Sequence, residues 1–210
     1  MPLPDAERAD FPVSRPWPFS PLTPLRYGVI LADPPWRFRT WGEHNQAKSA
    51  SRHYSLMTMD EMKALPVNQL ATDHCALVMW AVQPMIPEAI DLMKAWGFRY
   101  KTMGTWAKQS STGRKWAFGT GYLFRCAAEF FVVGTLGEPV IGARDVRNLI
   151  VAPVREHSRK PDEMHANLER LFPCVARAEL FARESRPGWE TWGNQSTKFD
   201  PPSSSVVEAA

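Results

Sequence analysis

Apolar residues in this chain come in short dense runs, separated by stretches where they recur every three or four positions. Residues 29–32 are apolar throughout and stop at Asp33-Pro34-Pro35, the pattern of a strand buried on both faces that runs into a loop. Thr58 and Glu61 have the spacing of a capping box, which predicts a helix through about residue 65. A second dense run at 75–82 predicts a strand. Residues 84–96 then place Ile86, Ile90, Met93 and Trp96 at helical spacing, with Gly97 as the stop. Strand-like runs at 98–106, 129–133, 149–152 and 175–181 surround one further helix at 161–172. Strands alternating with helices predict an α/β fold, a mostly parallel sheet with helices on both faces. Ligands bind such sheets beyond the carboxyl ends of the strands, where Asp33 and Arg183 both fall. Segments 37–55 and 107–124 fit neither period and are rich in Arg, Lys, Trp, Gly and Ser, which marks them as long binding loops.

Composition bounds the rest. The chain has 210 residues, 44% hydrophobic and 22% charged, which suits one globular domain. Seven prolines crowd residues 1–24, and 196–210 contain Pro201-Pro202-Ser203-Ser204-Ser205. Both ends are therefore expected to be extended or disordered tails. No apolar run approaches the ~20 residues of a membrane span. The start of the chain lacks a basic and apolar leader, so the expectation is a cytoplasmic protein. Cys75, Cys126 and Cys174 lie far apart in apolar surroundings and are expected to be buried core thiols. The histidines lack zinc-like spacing, and no metal site is expected. A net charge of +3 permits a polyanionic partner without pointing to a dedicated duplex binder.

Asp33-Pro34-Pro35-Trp36 is the stretch with the most chemistry in it. An exocyclic adenine amine is a poor nucleophile because its lone pair is delocalised into the ring. Methylating it calls for acceptors that hold both N–H groups, and a carboxylate beside a carbonyl fixed by paired prolines supplies them. An aromatic in the fourth position can stack on the base. The alternative is plain: Asp33 starts a turn, the prolines end a strand, and Trp36 packs in the core.

Other segments favour the chemical reading. Leu31-Ala32-Asp33-Pro34-Pro35-Trp36, the Tyr54 to Met62 stretch, Arg155 to Glu163, Glu179-Leu180-Phe181-Ala182-Arg183 and Trp192-Gly193-Asn194-Gln195 occur in that order. Together they resemble the adenine N6-methyltransferases typified by the catalytic subunit of the eukaryotic messenger-RNA N6-adenosine methyltransferase, a family with bacterial and phage members. The resemblance implies a Rossmann-like S-adenosylmethionine-dependent methyltransferase domain over 25–195. It is permuted, with the catalytic block ahead of the cofactor-binding strand, so no glycine-rich loop opens the chain. By resemblance, Asp33 and the Pro34 carbonyl hold the target amine, and Asp33 also binds the cofactor near its amino-acid end. Lys160 reaches the methionine carboxylate of S-adenosylmethionine, and Arg183, Asn194 and Gln195 bind its ribose and adenine. Tyr54, Trp106, Lys108 and Glu129 would line the adenine pocket beside Trp36. For Trp106 and Glu129 the alternatives are a core aromatic and a carboxylate paired with a neighbour such as Arg125.

Arg37, Arg39, Lys48, Arg52, Arg114, Lys115 and Arg125 fall in or beside the two loops, interleaved with Trp41, Tyr54 and Trp116. That mixture suits a groove for phosphates and a displaced base, or simply a solvated surface. The expected partner is a nucleic acid, DNA in preference to RNA or a free adenine nucleotide. No separate target-recognition domain is visible, so specificity falls to the loops or to a partner, another subunit or a second copy of the chain. Two readings of other classes compete. One is methylation of a protein glutamine, disfavoured by the aspartate and the permuted order. The other is a non-catalytic nucleic-acid-binding subunit, disfavoured because Asp33, Lys160, Asn194 and Gln195 are all present.

Overall fold

A computed structural model describes residues 16–36, 57–156 and 158–201. Seven strands form one sheet in the order β5-β3-β4-β2-β1-β6-β7. They are β1 Tyr27–Ala32, β2 Ala71–Ala81, β3 Arg99–Gln109, β4 Ala128–Leu136, β5 Leu149–Pro153, β6 Ala176–Leu180 and β7 Glu190–Trp192. Only β4 runs antiparallel to its neighbours; the β1–β2, β1–β6, β3–β5 and β6–β7 pairs are parallel. The expected Rossmann-like sheet is present. It contains one strand, β7, that the apolar pattern does not show, because all three of its residues are only partly buried.

Side chains alternate across the sheet and so build two cores. On one face Ile30, Ala32, Leu77 and Met79 pack against Met62, Ala89, Leu92 and Met93, contributed by helices α1 (Met59–Lys63) and α2 (Ile86–Ala95). On the other, Val29, Leu31, Val78 and Trp80 meet Met164 and Leu168 of helix α3 (Glu163–Leu171). Helix α1 starts at the reciprocal Thr58–Glu61 cap that the spacing predicts. Helix α2 ends before Gly97, whose φ of +83° a residue with a Cβ adopts at a cost.

The ends of the domain differ from expectation. Phe19 and Leu22 are buried, and the Trp192 indole donates to the Pro18 carbonyl at 2.9 Å. Tyr27, whose hydroxyl donates to Glu190 at 2.7 Å, secures the same edge. Residues 17–22 are therefore part of the packed domain, because their aromatic and leucine side chains supply apolar area that their proline content conceals. Phe199 also returns, its backbone N–H donating to the Arg183 carbonyl at 2.9 Å. The cysteines need a correction as well. Cys75 is buried, with burial pushing its thiol up to about 12, but Cys126 is half-buried and Cys174 exposed. No helix among the described residues is long and apolar enough to cross a membrane.

Candidate active site

Six strands point their carboxyl ends at one edge, and β4 starts from it. This edge gathers Asp33 after β1, Lys108 near the end of β3, Glu129 at the start of β4, Lys160 beyond β5, Arg183 beyond β6 and Asn194-Gln195 beyond β7. The order of the sheet makes the space above β1 and β6 a switch point. From β1 the chain crosses by α1 to β2, while β6 arrives from α3 on the opposite face, and clefts open where such connections diverge.

Asp33 leaves the strand still tied to it, its N–H donating to the Leu180 carbonyl at 3.2 Å. The prolines then turn the chain, so that the Trp36 N–H donates to the Pro34 carbonyl at 2.8 Å. Trp36 points inward. It is 6% exposed, and its indole donates to the Trp80 carbonyl at 2.9 Å. That bond ties the ring, and with it the Asp-Pro-Pro turn, to the end of β2. Trp106 is likewise in the core, 3% exposed, its indole donating to Ala152 at 2.9 Å. An indole buried with its N–H satisfied is a stable packing element.

Around Asp33 the charges alternate. Lys160 Nζ lies 3.1 Å from Asp33 Oδ2 and 2.8 Å from Glu129 Oε1, and Lys108 Nζ meets Glu129 Oε2 at 2.6 Å. Arg183 is 3.8 Å from Asp33 Oδ2. Both lysines also sit over indoles, Lys160 above Trp80 at 5.6 Å and Lys108 above Trp106 at 4.8 Å from the ring centroids. Burial works against the charge on Lys160, yet Asp33 and Glu129 outweigh it and hold the ammonium above the ordinary lysine range. Burial also works against ionised Glu129. Lys160 and Lys108 prevail there too, holding the carboxyl at about 2. Glu129 thus pairs with Lys108 and Lys160, not Arg125, and both of its oxygens are engaged within the chain of charges.

The cleft beside this chain is lined by Asp33, Ser158, Lys160, Phe181, Arg183 and Phe199, among others. Arg183 donates to the Ser158 carbonyl at 3.3 Å. Ser158 and Phe181 hold positive φ of 67° and 60°, a cost that concentrates at functional sites. Gly193 brings β7 close to β6: a Cβ there would press to 3.0 Å on the Ala182 backbone. Asn194 is exposed and Gln195 half-buried. Phe199 escapes sequence reasoning because it lies beyond the last motif, and Trp80 because it looks like any apolar residue of a buried strand. Tyr54, Arg37 and Arg39 lie outside the described residues.

Cations, carboxylates and strained backbone gathered at the switch point of a doubly wound sheet define a Rossmann-like ligand-binding domain. Comparison with known proteins gives its family: MT-A70 matches residues 27–195. The chain belongs to the MT-A70 family. It is 31% identical over 192 residues to the type II methyltransferase M.MunI of Mycoplasma sp, covering 83% of this chain and 80% of that protein. It is 35% identical over 172 residues to the N(6)-adenosine-methyltransferase MT-A70-like protein of Arabidopsis thaliana, covering 80% of this chain and 24% of that one. With the human N(6)-adenosine-methyltransferase catalytic subunit METTL3 it shares 31% over 174 residues, covering 81% and 28%. The chain thus spans about a quarter of the length of the plant and human relatives.

Proposed function

We propose that this protein is an S-adenosylmethionine-dependent methyltransferase acting on the N6 amino group of adenine in nucleic acid, with Asp33 as the residue that receives the amine. The observation that carries the proposal is the Asp33–Lys160–Glu129 arrangement at the switch point, 3.1 and 2.8 Å apart, in a chain of the MT-A70 family. The residues around the cleft suit S-adenosylmethionine chemically. Lys160 is a buried cation for its carboxylate, Arg183, Asn194 and Gln195 offer donors and acceptors for ribose and adenine, and Phe181 and Phe199 offer apolar walls. When bound, the cofactor supplies a methyl group already activated by its sulfonium, so no metal is needed for the transfer.

The protein's task is then positioning. Among the described residues both ion-pair contacts of Asp33 fall on Oδ2, which leaves Oδ1 to accept one N–H of the amine. The Pro34 carbonyl uses one lone pair on Trp36 and has a second for the other N–H. Held this way, the nitrogen would present its lone pair to an incoming methyl group, and Asp33 or water would take the extra proton that the amine sheds on methylation.

DNA is the favoured substrate, because the match to the type II methyltransferase M.MunI takes in 80% of that protein, whereas the matches to the Arabidopsis and human adenosine methyltransferases take in 24% and 28% of theirs. Purified protein given labelled S-adenosylmethionine with duplex DNA, single-stranded DNA, RNA and adenosine monophosphate in parallel should methylate DNA best. Activity should fall steeply with salt as phosphate contacts are screened, and replacing Arg37 and Arg39 together should flatten that dependence. No transfer to any adenine substrate would overturn the proposal. The cofactor assignment has its own check in the exposed Asn194. Asn194→Ala should weaken S-adenosylmethionine binding by about one to two powers of ten in calorimetry, the loss of a polar contact worth ~1–3 kcal/mol. An unchanged affinity would place the cofactor elsewhere.

A further inference from the structure

The connection from β3 to β4 rises directly from the charged site. At its base the Ala117 N–H donates to the Lys108 carbonyl and the Lys108 N–H to the Ala127 carbonyl, each at 2.8 Å. Lys108 and Glu129, the pair that leads to Lys160 and Asp33, are thus its two feet. Above them the chain folds twice. One turn closes between Ser110 and Lys115 at 2.7 Å, and a second between Gly119 and Cys126, which exchange both backbone hydrogen bonds at 2.9 and 3.2 Å. The second turn depends on Gly121, where a Cβ would lie 2.1 Å from the Phe124 carbonyl oxygen.

These built turns present apolar side chains outward. Trp116 is 63% exposed, Phe118 78%, Tyr122 68%, Leu123 93% and Phe124 86%. Exposure of so many large apolar groups together marks a binding surface. The neighbouring charges select its occupant. Residues 110–128 contain Arg114, Lys115 and Arg125 and no acidic residue. Arg125 sits over the Phe118 ring at 5.3 Å, so cation and ring are presented together. Charge of one sign beside exposed rings is complementary to an unpaired nucleic-acid strand, which offers phosphates to the cations and a π-face on every base to the rings.

We propose that the 110–127 connection is a stacking platform for the unpaired strand that flanks the target adenine. The inference rests on the methyltransferase reading and extends it, because a base removed from its stack leaves unpaired neighbours that need a partner. The platform stands over Lys108 and Glu129, so a strand lying across it delivers its next nucleotide toward Asp33.

The test compares wild type with a Phe118→Ser, Tyr122→Ser, Phe124→Ser triple variant. Fluorescence anisotropy with a labelled single-stranded oligonucleotide of about 12 nucleotides should show at least a thirtyfold rise in Kd, ~30-fold being modest for three lost stacking rings. Calorimetry should show unchanged S-adenosylmethionine affinity, and circular dichroism the wild-type fold, since the three rings lie outside the packed cores. Equal strand affinity in the two proteins would overturn the platform. So would wild-type self-association that Leu123→Ser abolishes while strand binding stays intact, which would make the surface a contact between copies. If wild type binds the strand through this loop yet methylates no adenine substrate, the methyltransferase reading falls and the platform remains.

Discussion

Asp33→Ala should lower methyl transfer by at least about 10³-fold at saturating cofactor while the protein still folds. The magnitude follows from what is lost: without the carboxylate, one N–H of the amine has no acceptor and the nitrogen is no longer aimed. Folding should survive, because Lys160 keeps Glu129 at 2.8 Å and is not left as an uncompensated buried charge. Asp33→Asn sharpens the result, since it keeps the shape and one acceptor oxygen but abolishes the charge. Single-turnover rates at saturating cofactor and oligonucleotide measure the effect, with circular dichroism as the check on folding. A folded Asp33→Ala protein that turns over near the wild-type rate would remove Asp33 from the mechanism.

Glu129→Gln should lower stability by about 3 kcal/mol at neutral pH, because it breaks a half-buried ion pair on both sides at once. The pH dependence has a definite sign. Burial raises the Glu129 carboxyl, but Lys160 and Lys108 bring it from an ordinary 4.5 down to about 2. Its stabilising contribution is therefore complete above about pH 4.5, shrinks as pH falls, and is gone near pH 2. Urea denaturation of wild type and variant should show a gap at pH 7 that narrows through this window. Adding Lys108→Met removes one cation left behind and should recover part of the loss. Equal stability at pH 7, or a gap that persists unchanged into acid, would show that the pairing does not hold the site together. The same variant should slow methyl transfer, since Lys160 loses the partner that steadies it beside Asp33.

Much of this was readable in advance, for reasons that differ by element. Helix α1 was legible from Thr58 and Glu61 because capping is a local event that spans only two intervening residues. Strands β1 and β2 were legible because burial on both faces leaves an unbroken apolar run. Strand β7 was not, since an edge strand of three partly buried residues carries neither period. Residues 17–22 were misjudged for a related reason: proline content describes how a free chain behaves, while the burial of Phe19 is decided by β7 on the far side of the sequence.

The sequence by itself determined the class of fold, the place where the strand stops at Asp33, and the set of charged and polar residues from which a site could be made. It did so because these depend on spacing along the chain. The tertiary structure alone decided which charge faces which. Lys108, Glu129, Lys160 and Asp33 come from four separate strand ends, and their pairing is set by sheet order, which no local pattern encodes. It also decided that the indoles of Trp36 and Trp106 donate to the carbonyls of Trp80 and Ala152, because a side chain's partner is set by which strands meet and not by its neighbours in sequence.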